Sequence, residues 1–265
     1  MRPQPIYTTD KINSAYCLRY VWTGWPKNGS TFPSEPSTEF FDSLDKAWQE
    51  DGLRIVSVNW RSDRIQIAFS AVPHVAPTLF VGRVKGRLQH ALRKVVIPAV
   101  FSRKVAFRAI GNNHSEEIER YLSKQVDRER FVDSEFAELL EGFTHIGDVK
   151  RFRKPLTSVS GRYWYNLHIV LVTSGRGKID SLNTLRKLDR SFEATANKHG
   201  YDLVMRSWLL DHVHVALRGN IEQSPQEIAL SLMNNSAYTF GQNAVWQFGF
   251  YAGSFSEYDV NAVRS

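Results

Sequence analysis

Cysteine is nearly absent from this chain, because Cys17 is the only one among its 265 residues. A single cysteine excludes a disulfide framework, a cysteine-based zinc site and an iron–sulfur cluster. Long apolar runs are missing too, since none approaches the ~18 residues that a membrane span requires. The first residues hold no apolar segment typical of a secretory signal. We therefore expect a cytoplasmic protein that has no membrane partner.

Acidic residues are missing from one long stretch, although the whole chain carries 27 of them and a net charge of +7. No Asp or Glu occurs between Arg64 and Ser115. The cations of that stretch are Arg64, Arg83, Lys85, Arg87, Arg93, Lys94, Arg103, Lys104 and Arg108. Such one-sided charge is typical of a surface that contacts nucleic-acid phosphates. We take the eight cations from Arg83 onward as candidate nucleic-acid contacts.

The sequence repeats itself once. Gly52–Ser70 aligns with Gly200–Arg218 at a constant offset of 148 residues. The identical positions are Gly52 and Gly200, Val56 and Val204, Trp60 and Trp208, Asp63 and Asp211, and Ala68 and Ala216. Looser matches precede and follow this pair in the same order along the chain. Repetition of this kind predicts a tandem duplication.

Each copy has the same predicted layout of strands and helices. The first copy has predicted strands at Tyr16–Thr23, Leu53–Trp60, Arg64–Ser70 and Lys104–Ile110, and helices at Thr38–Asp51, Thr78–Lys94 and Ser115–Arg130. The second has strands near Tyr165–Thr173, Leu203–Trp208 and His212–Leu217, and helices near Ser181–His199 and Pro225–Phe240. The order predicts an α+β protein of two tandem ferredoxin-like (βαββαβ) antiparallel-sheet units that form a pseudo-dimer. We assign residues 1–130 to the first unit, 131–160 to a linker and 161–265 to the second unit.

A pair of histidines begins one predicted strand of the second copy. Residues i and i+2 of a strand face the same side, so His212 and His214 can present two imidazoles to one metal ion. The first copy has Arg64 and Gln66 at these positions. An arginine stays protonated and cannot bind a metal. The first copy therefore keeps the scaffold without this site.

The opposite holds for a tyrosine-bearing helix. In the first copy Tyr121 and Gln125 are four residues apart and should share one helical face. The counterpart of Tyr121 in the second copy would be residue 266, one position beyond Ser265. The second copy has the histidine pair without the tyrosine, and the first has the tyrosine without the pair. Tyr258 is a weaker candidate for the same role.

Together these segments resemble the single-tyrosine transposases with a histidine–hydrophobic–histidine motif, a family that includes the REP-associated tyrosine transposases. Trp208–Val215 is similar to their MPDHVHLL segment and Val245–Tyr251 to their WQxGYY segment. Phe101–Gly111, followed by Glu116–Gln125, is similar to their WS…TVG…YIxxQ ending. The resemblance covers both copies, roughly residues 14–126 and 160–265.

This resemblance implies a metal-dependent reaction on single-stranded DNA, including DNA with hairpins. In that family two histidines and a glutamine hold Mg²⁺ or Mn²⁺, and a tyrosine attacks the scissile phosphate to leave a 5′-phosphotyrosine link. Carried over by position, Tyr121 is the nucleophile, and His212, His214 and Gln125 are the metal ligands. The family works as a dimer whose sites are completed across subunits. A fused pair could keep one composite site and act as a monomer, in a prokaryotic, nucleoid-associated setting.

Two other interpretations remain open. A transposase pair that lost half of its catalytic parts could survive as a domesticated, catalytically inactive DNA-binding protein. Alternatively, two sheets of this kind could form a tandem RNA-binding protein. Against the RNA-binding interpretation, neither copy has the aromatic-rich strands that stack bases in such domains.

Overall fold

Two six-stranded sheets form the scaffold of the described residues. The computed structural model describes residues 4–95, 99–111, 114–128, 134–179 and 181–256. The N-terminal sheet contains β2 (Arg19–Pro26), β3 (Leu53–Trp60), β4 (Ile65–Ala71), β5 (Phe101–Ile110), β7 (Leu156–Thr157) and β8 (Gly161–Trp164). The C-terminal sheet contains β1 (Asn13–Cys17), β6 (Thr144–Ile146), β9 (Asn166–Val172), β10 (Asp202–Trp208), β11 (His212–Arg218) and β12 (Gly249–Ser254).

Helices connect these strands and cover the sheets. They are α1 (Thr38–Glu50), α2 (Pro77–Lys94), α3 (Ser115–Ser123), α4 (Gln125–Arg128), α5 (Ser134–Glu141), α6 (Leu182–His199) and α7 (Pro225–Thr239). Two short 3₁₀ helices occupy Val149–Arg153 and Ser174–Arg176. Among the helices of the described residues, none combines the length and the apolar character needed to cross a lipid bilayer.

The two sheets share one strand order. The N-terminal sheet runs β3-β4-β2-β5-β8-β7, and the C-terminal sheet runs β10-β11-β9-β12-β1 with β6 on the outer side of β10. In each, four consecutive strands of the chain pair antiparallel in the order fourth, first, third, second. That order is the ferredoxin-like arrangement. The predicted fold class, α+β with two ferredoxin-like units, is confirmed.

Each half of the chain lends one strand to the sheet of the other half. β1 pairs in parallel with β12, and β8 pairs in parallel with β5. One buried residue separates each lent strand from the strand that follows it, Leu18 after β1 and Tyr165 after β8. The chain therefore passes from one sheet to the other at these two residues.

Two equivalent glycines end the helices that precede β3 and β10. Gly52 follows α1 with φ +77°, and Gly200 follows α6 with φ +71°. These left-handed conformations are strained for residues that have a Cβ atom, which explains glycine at both positions of the repeat. The chain turns sharply at each of these glycines, and the next strand starts within three residues of the end of the helix.

One hydrophobic core runs through both halves. Aromatic rings bridge the sheets: Tyr20 lies 4.7 Å from Phe107 and 6.3 Å from Tyr165, measured between ring centroids. All three rings are buried. Because these side chains belong to β2, β5 and the residue between β8 and β9, burying them requires both halves in place.

The structure differs from the sequence predictions in three places. β8 and β12 were not predicted, and residues 144–157 of the predicted linker supply the edge strands β6 and β7. The helix predicted over Ser115–Arg130 is wrong in its length, because α3 ends at Ser123. A helix end leaves carbonyl groups without amide partners. Gln125 satisfies one of them, since its side-chain Nε2 donates to the Tyr121 carbonyl at 2.9 Å.

Candidate active site

Helix α3 belongs to the N-terminal half of the chain but packs against the C-terminal sheet. Ile118 and Leu122 are buried in a cluster with Met205 of β10 and Ala216 of β11. Residues four apart lie on one helical face, so both aliphatic side chains reach the sheet together. Their burial stabilises the crossing by about 3–6 kcal/mol. The same packing brings Tyr121, partly buried beside them, to the sheet.

Tyr121 meets the histidine pair there. Val213 and Val215 of β11 are buried in the core, so His212 and His214 face the opposite side, where α3 lies. The two imidazole rings are 4.9 Å apart between centroids. The phenol ring of Tyr121 lies 5.3 Å from the His214 ring. The predicted nucleophile and one of the two predicted histidines, from opposite halves of the chain, are thus in contact.

Two residues that the sequence analysis did not assign complete the cluster. The His168 ring of β9 stacks on the His214 ring, 5.2 Å away at an interplanar angle of 19°. Its Nε2 lies 3.1 Å from His214 Nδ1, within hydrogen-bonding distance. Tyr251 of β12 lies 6.0 Å from the His168 ring. We name Tyr121, His168, His212, His214 and Tyr251 the histidine–tyrosine cluster.

A sequence signal for His168 existed. Leu167, Ile169 and Leu171 are buried on the core face of β9, so an alternating strand directs His168 to the other side. Finding it also required knowing that β9 is the strand next to β11. A local sequence pattern does not show which strands are neighbours in a sheet, so the sequence analysis did not identify His168 as part of the site.

Hydrogen bonds fix the orientation of both predicted metal-binding imidazoles. His212 Nδ1 lies 2.6 Å from Asp211 Oδ1, and Arg176 contacts the other oxygen of that carboxylate at 3.2 Å. Partial burial by itself would raise the pKa of Asp211, but the His212 hydrogen bond and the charges of His212 and Arg176 lower it. A carboxylate or imidazole bound at Nδ1 leaves Nε2 as the nitrogen for a ligand.

Burial keeps two of the imidazoles neutral. It lowers the pKa of His214 to about 2, with further contributions from the charges of His168 and His212. Burial also lowers the pKa of His168 to about 4. A neutral imidazole is the form that binds a metal ion. The environment of these rings therefore favours the protonation state that ligation requires.

Gln125 is less well placed than the histidines. It is buried, and its amide nitrogen is engaged by the Tyr121 carbonyl across the break between α3 and α4. The two residues predicted to share a helical face therefore lie on different helices. Because the amide nitrogen of Gln125 donates to the Tyr121 carbonyl, its amide oxygen is the atom that remains for a metal ion.

The donor set fits a divalent ion in part. Nothing in the described ranges groups three or more His, Cys, Asp or Glu side chains in a way that could hold a metal. One amide oxygen and the phosphate oxygens of a bound strand are ligands of the kind that Mg²⁺ and Mn²⁺ accept, whereas the two oriented imidazoles are of the kind that suits transition metals. His212, His214 and Gln125 could hold the ion only with substrate oxygens completing the set.

The predicted basic residues divide between two faces of the N-terminal half. On α2, Arg87 donates to Asp51 and also pairs with Glu50, and Arg83 lies 3.5 Å from Asp51. Lys85 Nζ donates to the Ser102 carbonyl at 2.6 Å. Arg93 and Lys94 are exposed in the last turn of α2, and Arg103 is exposed on β5. Acidic neighbours thus offset part of the α2 charge.

The remaining cations line a cavity on the N-terminal sheet. Its volume is about 720 Å³, and its lining includes Arg64, Lys104, Arg108, Arg162, Trp25 and Trp164. We name this cavity the basic cleft. Arg64 and Gln66, which stand where the second copy has its histidines, both line it.

The fold and the cluster together define an α+β protein of two similar sheets, in which a helix of the N-terminal half brings a tyrosine to the histidines of the C-terminal sheet. Residues 162–265 match the family described as "Transposase IS200 like". This match supports the transposase family for the part of the chain that contains the histidine pair. Comparison with curated proteins finds no match.

The chain is also similar to solved structures at low sequence identity. The regulatory subunit of aspartate kinase from Thermus thermophilus covers 84% of this chain and 93% of its own at 11% identity, with a TM-score of 0.20. An unknown protein from Galdieria sulphuraria covers 90% and 97% at 10% identity, with a TM-score of 0.21. Scores this low carry no argument about the present fold or function.

Proposed function

We propose that the protein is a transposase-like single-stranded DNA endonuclease and strand transferase with one composite active site per chain. The observation that carries this proposal is the 5.3 Å separation between the rings of Tyr121 and His214, which come from opposite halves. A phenol beside two imidazoles fits a site that cleaves a phosphodiester through a covalent intermediate. The match of residues 162–265 to the IS200-like transposases supports the same class.

His212 and His214 are the proposed metal ligands through their Nε2 atoms, and Gln125 is the third through its amide oxygen. A bound Mg²⁺ or Mn²⁺ polarises the scissile phosphate and offsets the charge that develops on its oxygens. Asp211 orients the His212 ring through its hydrogen bond to Nδ1.

Tyr121 is the proposed nucleophile. Its phenolic oxygen forms a bond to phosphorus while the bond from phosphorus to the 3′-oxygen breaks, and the phenolic proton ends on the released 3′-hydroxyl. The product is a 5′-phosphotyrosine link, which conserves the bond for attack by a second 3′-hydroxyl and thus for rejoining. The buried side chains of Ile118 and Leu122 support this role because they fix α3 against the sheet.

Tandem duplication accounts for the composite site. The shared strand order and the lent strands β1 and β8 resemble two subunits of a symmetric dimer joined in one chain. The first unit contributes α3, and the second contributes the histidine strand. On this proposal the units span residues 1–130 and 161–265, and the protein acts as a monomer.

A covalent-capture assay tests the proposal. The protein is mixed with Mn²⁺ and single strands or hairpins from the flanks of its own gene, then separated under denaturing conditions. A label at the 3′ end of the strand should remain on the protein, and a label at the 5′ end should leave with the 3′-hydroxyl fragment. Both Tyr121→Phe and His214→Ala should abolish the adduct.

Two further phenols provide the controls. Tyr251→Phe tests the second phenol of the cluster, and Tyr238→Phe tests a phenol on α7 that is 66% exposed. Both variants should keep the adduct; Tyr258 lies outside the described residues. An adduct that persists in Tyr121→Phe would overturn the assignment of the nucleophile. If strands are bound but no adduct forms, the domesticated DNA-binding protein becomes the better account.

A further inference from the structure

We propose that the basic cleft is a second, non-catalytic binding site for single-stranded DNA, in the place where the N-terminal sheet has no histidine pair. It would hold one or two nucleotides of a strand whose phosphates contact the cleft arginines and whose bases contact its tryptophans. This inference rests on the proposed function in taking single-stranded DNA as the ligand.

The charge of the cleft is the first argument. Four cations line it, Arg64, Lys104, Arg108 and Arg162, and no Asp or Glu of the described residues belongs to its lining. One acidic neighbour, Asp63, lies 3.3 Å from Arg64, and its side chain is 66% exposed. A concave surface that gathers several cations focuses a field that attracts a phosphate backbone.

The positions of these cations are the second argument. When the sheets are matched by strand register, so that Gln66 corresponds to His214, Lys104 and Arg108 correspond to Gly249 and Gly253. By the same register Arg162 corresponds to Ala15. Arg64 stands in place of His212. The cleft cations thus stand where the equivalent sheet has two glycines, an alanine and a histidine.

The tryptophans supply the third argument. The Arg108 guanidinium lies 4.3 Å from the centre of the Trp164 ring, and Trp164 Nε1 donates to the Arg153 carbonyl at 2.9 Å. These contacts hold the guanidinium in position before a ligand arrives, which lowers the entropic cost of binding a phosphate. Trp25 is half-buried in the lining and offers a surface on which a base can stack.

Shape and hydrogen bonding agree with a nucleotide. The volume of about 720 Å³ lies in the range of small-molecule sites, roughly 300–1,000 Å³. Inside the cleft, Gln66 Oε1 is buried and has no hydrogen-bond partner among the described residues. Rotation of the Gln66 side chain toward the cleft would bring this oxygen to an amino or imino group of a base. The helices α1 and α2 pack on the core face of this sheet, through Trp48 and Phe80.

Fluorescence anisotropy with a labelled oligothymidylate in EDTA tests the cleft without catalysis. Lys104→Ala and Arg162→Ala change exposed side chains and should each weaken binding about fivefold to tenfold. Each should also reduce the slope of log affinity against log salt by about 0.7, as the loss of one phosphate contact predicts for a single strand. Lys46→Ala, an exposed cation on α1 that lies outside the cleft, is the matched control and should change the affinity less than twofold.

Further measurements test the position of the bound strand and the identity of the ligand, and they distinguish failure of the cleft proposal from failure of the catalytic proposal. A strand that carries 5-iodouracil should cross-link to Trp25 or Trp164, and a cross-link only to α2 would overturn the inference. Tighter binding of RNA, or of free thymidine monophosphate, than of the DNA strand would overturn the ligand assignment. Tyr121→Phe should bind normally. A wild-type adduct with unchanged affinity in the cleft variants refutes the cleft alone, whereas cleft-dependent binding without any adduct refutes only the catalytic proposal.

Discussion

Replacing Asp189 with alanine should destabilise the protein by about 3–5 kcal/mol, the typical cost of removing one partner from a buried ion pair. Asp189 of α6 accepts from Arg206 Nη2 at 2.9 Å and from Trp208 Nε1 at 2.8 Å. The side chains of Asp189 and Arg206 are only 12% and 8% exposed. The variant would leave a buried guanidinium with one remaining carboxylate partner, Glu193, so we expect the lower end of the range.

Urea unfolding measures this loss directly, because the slope with denaturant should stay constant while the midpoint falls. Glu193→Gln is the control. Its side chain is 52% exposed although it contacts the same arginine, so the loss should stay below about 1 kcal/mol. If Asp189→Ala costs less than Glu193→Gln, the argument from burial is refuted. An unchanged midpoint for both variants would mean that the network contributes nothing measurable.

Three further predictions concern close packing, pH and helix capping. A Cβ atom at Gly111 would lie 2.3 Å from the Ser254 carbonyl oxygen, so Gly111→Ala should cost about 1–3 kcal/mol in thermal unfolding. Gly86→Ala, where a Cβ meets nothing within 4 Å in α2, should be neutral or stabilising by about 0.5–1 kcal/mol. Because burial lowers the pKa of His214 to about 2, the unfolded chain, with a pKa near 6.5, takes up the proton first. The metal-free protein should therefore lose about 2 kcal/mol through His214 as the pH falls from about 7 to about 5, and a similar amount through His168, whose pKa burial lowers to about 4. His214→Asn should remove about half of this dependence in urea titrations at the two pH values. Ser224→Ala removes the capping box of α7 and should lower the unfolding free energy by about 1 kcal/mol, with no effect on the covalent adduct.

Local patterns were sufficient for most of the fold. The helices α1, α2, α6 and α7 begin and end within about one or two residues of their predictions, because apolar spacing and the helix-ending glycines Gly52 and Gly200 are written in the sequence. The strands β8 and β12 escaped prediction. Both take part in pairing between the halves of the chain, because β8 pairs with β5 and β12 pairs with β1 as well as with β9.

The candidate site was predictable where it depends on sequence spacing. The facing of His212 and His214 follows from strand alternation, and their contact with Tyr121 agrees with the complementary losses in the two copies. His168 and Tyr251 were not predictable, because only the strand order brings β9 beside the histidine strand and β12 beside β9. The basic cleft escaped for the same reason, since Arg162 joins it through the parallel pairing of β8 with β5.

Each half of the chain pairs one of its strands, β1 or β8, with the sheet of the other half. This pairing should hold the two halves together even when the chain between them is cut. A cut between α4 and α5 would leave β1 in the N-terminal fragment and β7 and β8 in the C-terminal fragment, although each of these strands belongs to the other fragment's sheet, and it would leave vacant edges on β5 and β12. Vacant edges with unpaired backbone groups attract strands that fit them. We therefore expect the nicked protein to stay together as one particle. Fragments expressed separately should be insoluble alone and should recover the native sheets when refolded together, as complementing halves of a split protein.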